Sequence, residues 1–224
     1  MNELLGQIAD CVEKGKVNIN SSHPAELSGK EGTDELTKRA LEQGVPAKRV
    51  LSEALIVGME RVGVKFRDNE IYLPDVLMAA KAMTAATNHL RPYFESGEIQ
   101  RKGVVLMGTV AGDLHDIGKK IVAMFFEGGG WEVIDLGVDI GAEKYLEAIA
   151  KYKPAAVGMS ALLTTTMMTM SDITGKIKLA CPEVKVLVGG APVSKEFAEK
   201  IGAHAYSPDP QGALEYLNTS CTRV

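Results

Sequence analysis

The segment Gly112-Asp113-Leu114-His115-Asp116-Ile117-Gly118 places a histidine between two carboxylates. A carboxylate beside a histidine can hold one ring nitrogen and leave the other free to coordinate a metal. On its own the segment reads equally well as a surface turn that happens to contain a histidine. The elements around it decide. Before it runs Gly103-Val104-Val105-Leu106-Met107-Gly108-Thr109, a continuous apolar stretch expected to form a buried parallel strand. After it runs Lys119-Lys120-Ile121-Val122-Ala123-Met124-Phe125-Phe126, expected to be a helix. The histidine therefore belongs at the carboxyl end of a strand, where open α/β sheets bind ligands.

From Gly103 onward strand and helix alternate. The strands are expected at Val104–Gly108, Val133–Leu136, Ala156–Ser160, Val184–Val188 and Ala203–Tyr206, with a last helix starting near Gln211. This rhythm predicts a five-stranded parallel sheet of flavodoxin-like (Rossmann-type) order 2-1-3-4-5. Right-handed crossovers then set the ends of the first and third strands side by side. Two further segments lie just past strand ends: Ser160-Ala161-Leu162-Leu163-Thr164-Thr165-Thr166 and Gly189-Gly190-Ala191-Pro192. Each alone is an ordinary loop. Together with the histidine loop they should converge on one sheet edge, where small and hydroxylated residues line a slot and paired glycines admit a bulky ligand.

Residues 1–95 read as helical. An amphipathic segment spans Glu3 to Lys14, and a polar loop follows from Asn18 to Gly32. Thr33 is expected to cap a helix that Gly44 ends, and Pro46 to occupy the first position of the next. That helix carries Val50, Leu51, Leu55, Val57, Met59 and Val62 and fades at Asp68-Asn69. Pro74 opens a fourth through Val76, Leu77, Ala80, Met83, Ala86 and Leu90. Short connections between four such helices suggest an antiparallel bundle. Polar, glycine-containing residues 96–102 mark the boundary, giving a helical domain at 1–95 and an α/β domain at 96–224.

Composition narrows the function classes. With 46% apolar and 24% charged residues the chain reads as a soluble globular protein. A net charge of -4 and 5% aromatics give no basis for nucleic-acid binding. No apolar run is long enough to span a bilayer. The early acid in Met1-Asn2-Glu3-Leu4-Leu5-Gly6 argues against a signal peptide. Cys11, Cys181 and Cys221 are scattered, as expected in a reducing compartment, so a cytoplasmic location is expected. Most of the ten methionines are expected to fill core gaps. There is no GxxxxGK[ST] and no GxGxxG after the first strand, which sets aside nucleotide P-loops and dinucleotide folds. His115 has no second histidine or cysteine at metal-clip spacing, and His23, His89 and His204 are expected to be surface or capping residues. A lone histidine ligand suits a metal whose other positions a macrocycle fills.

The pattern Asp113-x-His115-x-x-Gly118, then Ser160-x-Leu162, then Gly189-Gly190, resembles the cobalamin-binding signature. The run Met59-Glu60-Arg61-Val62-Gly63-Val64-Lys65-Phe66, with Tyr72-Leu73-Pro74 and the helix through Met83, resembles the helical cap of methyl-transfer proteins. The likeness extends from about Thr33 to Gly212. It is closest to the corrinoid proteins of methanol, methylamine, betaine and aromatic-ether methyltransferase systems, and is similar to the cobalamin module of methionine synthase.

The resemblance implies cobalamin as cofactor and the role of a non-catalytic methyl carrier. Its implied partners are a substrate-specific methyltransferase, an acceptor methyltransferase and a reductive activase, with no nucleic acid and no membrane. His115 would be the lower cobalt ligand in place of the cofactor's own dimethylbenzimidazole. Asp113 would hydrogen-bond it, and Thr166 would extend a proton relay, keeping a hydroxyl where methionine synthase has a serine. Gly112, Asp116, Ile117 and Gly118 belong to the same loop motif, and Leu162 to the second. Ser160, Thr164, Gly189 and Gly190 would line the slot for the nucleotide tail. Phe66 and Leu73 would shield the upper face of cobalt, although an apolar pair at that spacing is ordinarily bundle core. Two other classes share the signature. A cobalamin-dependent sensor would need a signalling or DNA-binding element, and no basic recognition helix is visible. The small subunit of a radical mutase would meet its substrate barrel directly, against which the Phe66…Leu73 cap argues.

Overall fold

The computed structural model describes residues 3–221; Met1 and Asn2 of the amino-terminal stretch read above for a leader lie outside them. The chain forms two compact units, Met1–Arg101 with Gly128–Gly130, and Lys102–Glu127 with Trp131–Val224.

In the first unit, α1 (Glu3–Glu13) buries Leu4, Leu5, Ile8, Ala9, Cys11 and Val12, the stripe of a 3.6-residue period. A one-turn 3₁₀ segment, Ala25–Leu27, interrupts the polar loop. Next come α2 (Thr33–Glu42), α3 (Ala47–Val50), a π-turn (Leu51–Leu55), α4 (Ile56–Arg67) and α5 (Leu73–Glu95). Helix α1 packs on α2, α4 and α5, and α2 on α5. The α1–α4 crossing is close: a Cβ at Gly58 would lie 2.6 Å from Val12 Cβ. Gly44 ends α2 in the left-handed region, as expected.

Two helix starts differ from expectation. The cap of α2 is Gly32, whose amide donates to the returning carboxylate of Glu35 (2.9 Å). Gly32 lies so close to Val17 that a Cβ there would meet its backbone at 2.5 Å. Thr33 is inside the helix, buried, its hydroxyl within reach of Ala82 O (2.8 Å) and Val17 O (3.2 Å). Pro46 likewise sits one position early, as the cap of α3. Pro74 falls in the first turn of α5, which runs past Leu90 and carries Pro92 within it.

The second unit is a five-stranded parallel sheet: β1 (Val104–Thr109), β2 (Glu132–Asp135), β3 (Ala156–Ser160), β4 (Lys185–Gly189) and β5 (Ala205–Tyr206), in order β2-β1-β3-β4-β5. The helices are α6 (Ile117–Gly128), α7 (Ala142–Tyr152), α8 (Thr164–Met167), α9 (Thr169–Ala180), α10 (Lys195–Lys200) and α11 (Pro210–Ser220). Side chains alternate along each strand. Leu106, Val157 and Val186 join Tyr145 of α7 and Ile173 of α9 on one face. Val105, Met107 and Leu187 join Phe126 of α6 and Leu214 and Leu217 of α11 on the other. Register sets Thr109 beside Ser160 and Ser160 beside Gly189, so the segments after β1, β3 and β4 leave the sheet at one level.

His204, expected at the surface or in a cap, is instead part of the β4–β5 edge. Its Nδ1 accepts from Val186 N (3.0 Å), and its own amide donates to Val186 O (2.8 Å). That bond needs an unprotonated Nδ1, and burial, with Lys185 and Lys178 nearby, lowers the ring's proton affinity. Above the unfolded-state value of 6.5 both states are neutral and the full stability is present. Below it the unfolded chain takes up a proton that the folded chain resists, so stability falls. His204→Asn keeps an acceptor but does not titrate. The stability difference between wild type and variant, followed by denaturant midpoint from pH 7.5 to 5, is expected to shift against wild type as pH falls. A pH-independent difference would remove His204 from the acid sensitivity of the fold.

Candidate functional site

The loop between β1 and α6 is built around one carboxylate. The Asp113 side chain is 0% exposed. Its Oδ1 accepts from His115 N (3.0 Å) and lies 2.7 Å from His115 Nδ1. Its Oδ2 accepts from Leu162 N (2.8 Å) and from the Thr166 hydroxyl (2.7 Å). Burial alone would raise this acid. The amides of Leu162 and His115, the Thr166 hydroxyl and the His115 ring outweigh it and hold the carboxyl well below the usual carboxylate range. An ionised Asp113 can only accept, so Nδ1 carries a proton, and in the neutral ring Nε2 presents its lone pair. The imidazole side chain is 53% exposed, so that lone pair belongs to the most open group of the network.

The backbone fixes the loop from both sides. Gly112 takes φ +82°, a left-handed turn that favours glycine. Asp113 N donates to Val110 O (3.1 Å), and the Thr109 hydroxyl donates to His115 O (2.9 Å). Val110 N donates to Ser160 O (3.0 Å), tying the loop to the end of β3. Gly190, after β4, has φ +133°, and a Cβ there would stand 1.8 Å from Ala161 O. Only glycine permits that approach of the β4 loop to the β3 loop.

The expected residues divide as follows. Asp113, His115 and Thr166 form one hydrogen-bonded chain, joined by Leu162 through its amide. Asp116 does not reach the ring; it pairs with Lys120 one turn along α6. Of the two carboxylates flanking His115 in sequence, only Asp113 holds it. Gly118 lies in the exposed first turn of α6, Ser160 is half-buried at the end of β3, and Thr164 is exposed at the start of α8. Gly189 and Gly190 lie on the same edge. In the helical unit, Phe66 is half-buried in the last turn of α4 and Leu73 in the first of α5, separated by Asn69 at φ +60°. Sequence reasoning missed Thr109, Asp139 and the buried Lys119 with its partner Asp135. Asp135 and Asp139 flank the end of β2, on the edge that had singled out the other loops. A carboxylate just past a strand end was the available signal.

The surroundings suit a large, mostly apolar group with a metal at its centre. Leu114, Leu162 and Leu163 in the loops after β1 and β3, with Ile117 at the start of α6 and Met168 between α8 and α9, are all exposed, apolar surface of the kind that marks a binding face. In the first eight residues of α6 the buried side chain is Lys119, while Ile121, Val122, Ala123 and Met124 are only half-covered. Of these, Val122 packs on the face shared with α11. Among the described residues no three of His, Cys, Asp and Glu gather as a metal clip. His115 thus offers a single nitrogen donor, which fits a metal otherwise held by a macrocycle.

Comparison with known proteins agrees with this chemistry. Residues 103–215 match a family described as the B12 binding domain, and residues 29–91 match a second B12 binding domain family. The trimethylamine corrinoid protein of Methanosarcina barkeri is 39% identical over 185 residues, covering 81% of this chain and 85% of that protein. Monomethylamine corrinoid protein 1 of the same organism is 41% identical over 181 residues, covering 78% and 83%. Among solved structures, the methanol:cobalamin methyltransferase complex MtaBC from Methanosarcina barkeri matches with a TM-score of 0.80 at 29% identity, covering 100% of this chain and 82% of that one. No helix among the described residues is long and apolar enough to cross a membrane. The chain belongs to the cobalamin-binding corrinoid proteins, and its α/β unit is their B12 binding domain.

Proposed function

We propose that this chain is a methyl-carrying subunit: it receives a methyl group on cobalamin from a substrate-specific methyltransferase and delivers it to an acceptor methyltransferase, with a reductive activase restoring the cofactor after oxidation. The observation that carries the reading is the Asp113–His115–Thr166 chain at the sheet edge, in a protein whose relatives are corrinoid proteins of methylamine systems. Bound cobalamin supplies the reactive cobalt that takes and gives up the methyl group.

The chain's own residues ligate, orient and shield. His115 offers Nε2 to the metal, and Asp113 keeps the proton on Nδ1. Asp113 and the Thr166 hydroxyl would accommodate changes in the charge of a ligating imidazole. Gly112, Ile117, Gly118 and Leu162, with Asp116 at the loop's end, would hold the macrocycle. Ser160, Thr164, Gly189 and Gly190 border the slot for the nucleotide tail. The helical half, 1–95, acts as the cap, with Phe66 and Leu73 screening the methyl group from water and oxidants.

Three outcomes test these roles. Wild-type protein loaded with methylcobalamin is expected to show a visible spectrum with a nitrogen lower ligand, and His115→Ala a base-off spectrum. An unchanged spectrum in the variant would eliminate His115 as the ligand. In Asp113→Asn, either amide orientation points the NH₂ at a backbone N–H, that of His115 or that of Leu162, and neither can reverse. The apoprotein is expected to lose about 1–3 kcal/mol of stability, and nitrogen ligation to weaken about 10–100-fold while cobalamin is retained. Unfolding curves and spectral titration measure the two effects separately. Phe66→Ala and Leu73→Ala are expected to keep cobalamin yet speed photolysis of the bound methyl form. A drop in melting temperature with photolysis unchanged would return both residues to the bundle core.

A further inference from the structure

The segment after β2 carries a second set of contacts to the histidine loop. β2 and β1 stay zipped past their strand ends: Thr109 N donates to Gly137 O (3.0 Å), Ile140 N to Thr109 O (2.9 Å), and Val110 and Ile140 form a parallel bridge. Within this zipper Asp139 makes two bonds in opposite senses. Its Oδ1 accepts from Gly112 N (2.7 Å), and its own amide donates to Asp113 O (3.1 Å). The two bonds bracket the Gly112–Asp113 peptide, whose orientation aims the Asp113 carboxylate.

The backbone of Asp139 is in the left-handed region, φ +57°. L-residues adopt that conformation reluctantly, Asn and Asp more readily than most. A residue held there by two bonds to a neighbouring loop points to a functional constraint at that loop. No atom of Asp139 bonds His115, so any effect on the ring passes through Gly112 and Asp113.

We propose that Asp139 is a positioning residue for cobalt ligation: by holding the Gly112–Asp113 peptide from the β2 side, it fixes the carboxylate that sets the tautomer and direction of the His115 ring. The assignment rests on His115 being the lower ligand and deepens that reading.

Three variants separate the hydrogen bond from the backbone conformation. D139N keeps an acceptor and tolerates the left-handed region. D139G tolerates the region even better but has no acceptor. D139A has neither. Each full-length protein is loaded with cob(II)alamin, and the splitting of its paramagnetic resonance by an axial histidine nitrogen is read. Melting temperature and exchange of the Gly112 amide are measured on the apoprotein. D139N is expected to match wild type. D139G is expected to keep a melting temperature near wild type while exchanging Gly112 faster and weakening histidine ligation about 10–100-fold, the range for partners that orient a ligand. D139A is expected to lose both ligation and thermal stability. Histidine coupling in D139G equal to wild type would overturn the assignment, as would a loss in D139N as deep as in D139G. If wild type itself shows no nitrogen coupling, the ligand reading falls and takes this one with it. That outcome is distinct because it appears before any Asp139 variant is made.

Discussion

The buried carboxylate of Asp113 is the constraint on which the site depends. Taking an ionised group out of water is unfavourable unless donors replace the water. Here four donors do so, two backbone amides, a hydroxyl and an imidazole N–H, and the acid is held ionised despite its burial. These donors come from two places far apart in sequence, the loop after β1 and the segment from Leu162 to Thr166 after β3. The carboxylate therefore fastens together the two loops at the point where the strand order reverses. The level register of Thr109 with Ser160 makes this possible, because it brings both loops off the sheet at one height. The chain's one imidazole at this edge then inherits a fixed tautomer without being buried itself.

That arrangement explains why the apolar residues around it are exposed. Leu114, Ile117, Leu162, Leu163 and Met168 lie in the segments that follow β1 and β3, exposed beyond the sheet core. A surface of this kind on a folded protein calls for a partner. In a cobalamin-binding corrinoid protein the cofactor is a large macrocycle with a tail. The loops around His115 are thus organised by polar bonds at their backbones, which leaves their apolar side chains available to the ligand. Leu162 shows the division within one residue: its amide serves Asp113 while its side chain faces outward.

Much of this was legible in the sequence, for identifiable reasons. Parallel strands buried on both faces read as continuous apolar runs, so β1, β3 and β4 and their order followed directly. The loops past their ends drew attention because glycines and hydroxylated residues interrupt that pattern. The site of Thr33 and the partner of Asp139 were not legible, because both depend on side chain–backbone bonds across long separations. The Thr33 hydroxyl answers Ala82, and Asp139 answers Gly112, and no local periodicity encodes either. The π-turn at Leu51–Leu55 was also hidden, since its apolar residues fit a regular helix equally well. Asp116 misled in the other direction. Adjacent to His115 in sequence, it precedes a helix and finds Lys120 at i+4, while the ring of His115 is held by Asp113.

Helix α6 combines these themes. An apolar helix normally clings to its sheet by a continuous stripe, yet the early turns of α6 are anchored by a buried lysine. Lys119, with its side chain 1% exposed, pairs with Asp135 at the end of β2, while Phe126 packs with the sheet near the other end. Between these anchors Ile121–Met124 stay half-covered. A buried ammonium is tolerated only while its carboxylate partner is in place, so this contact fixes the helix by direction and charge rather than by covered area. The ion pair therefore holds the first turns of the helix where no apolar side chain is fully covered.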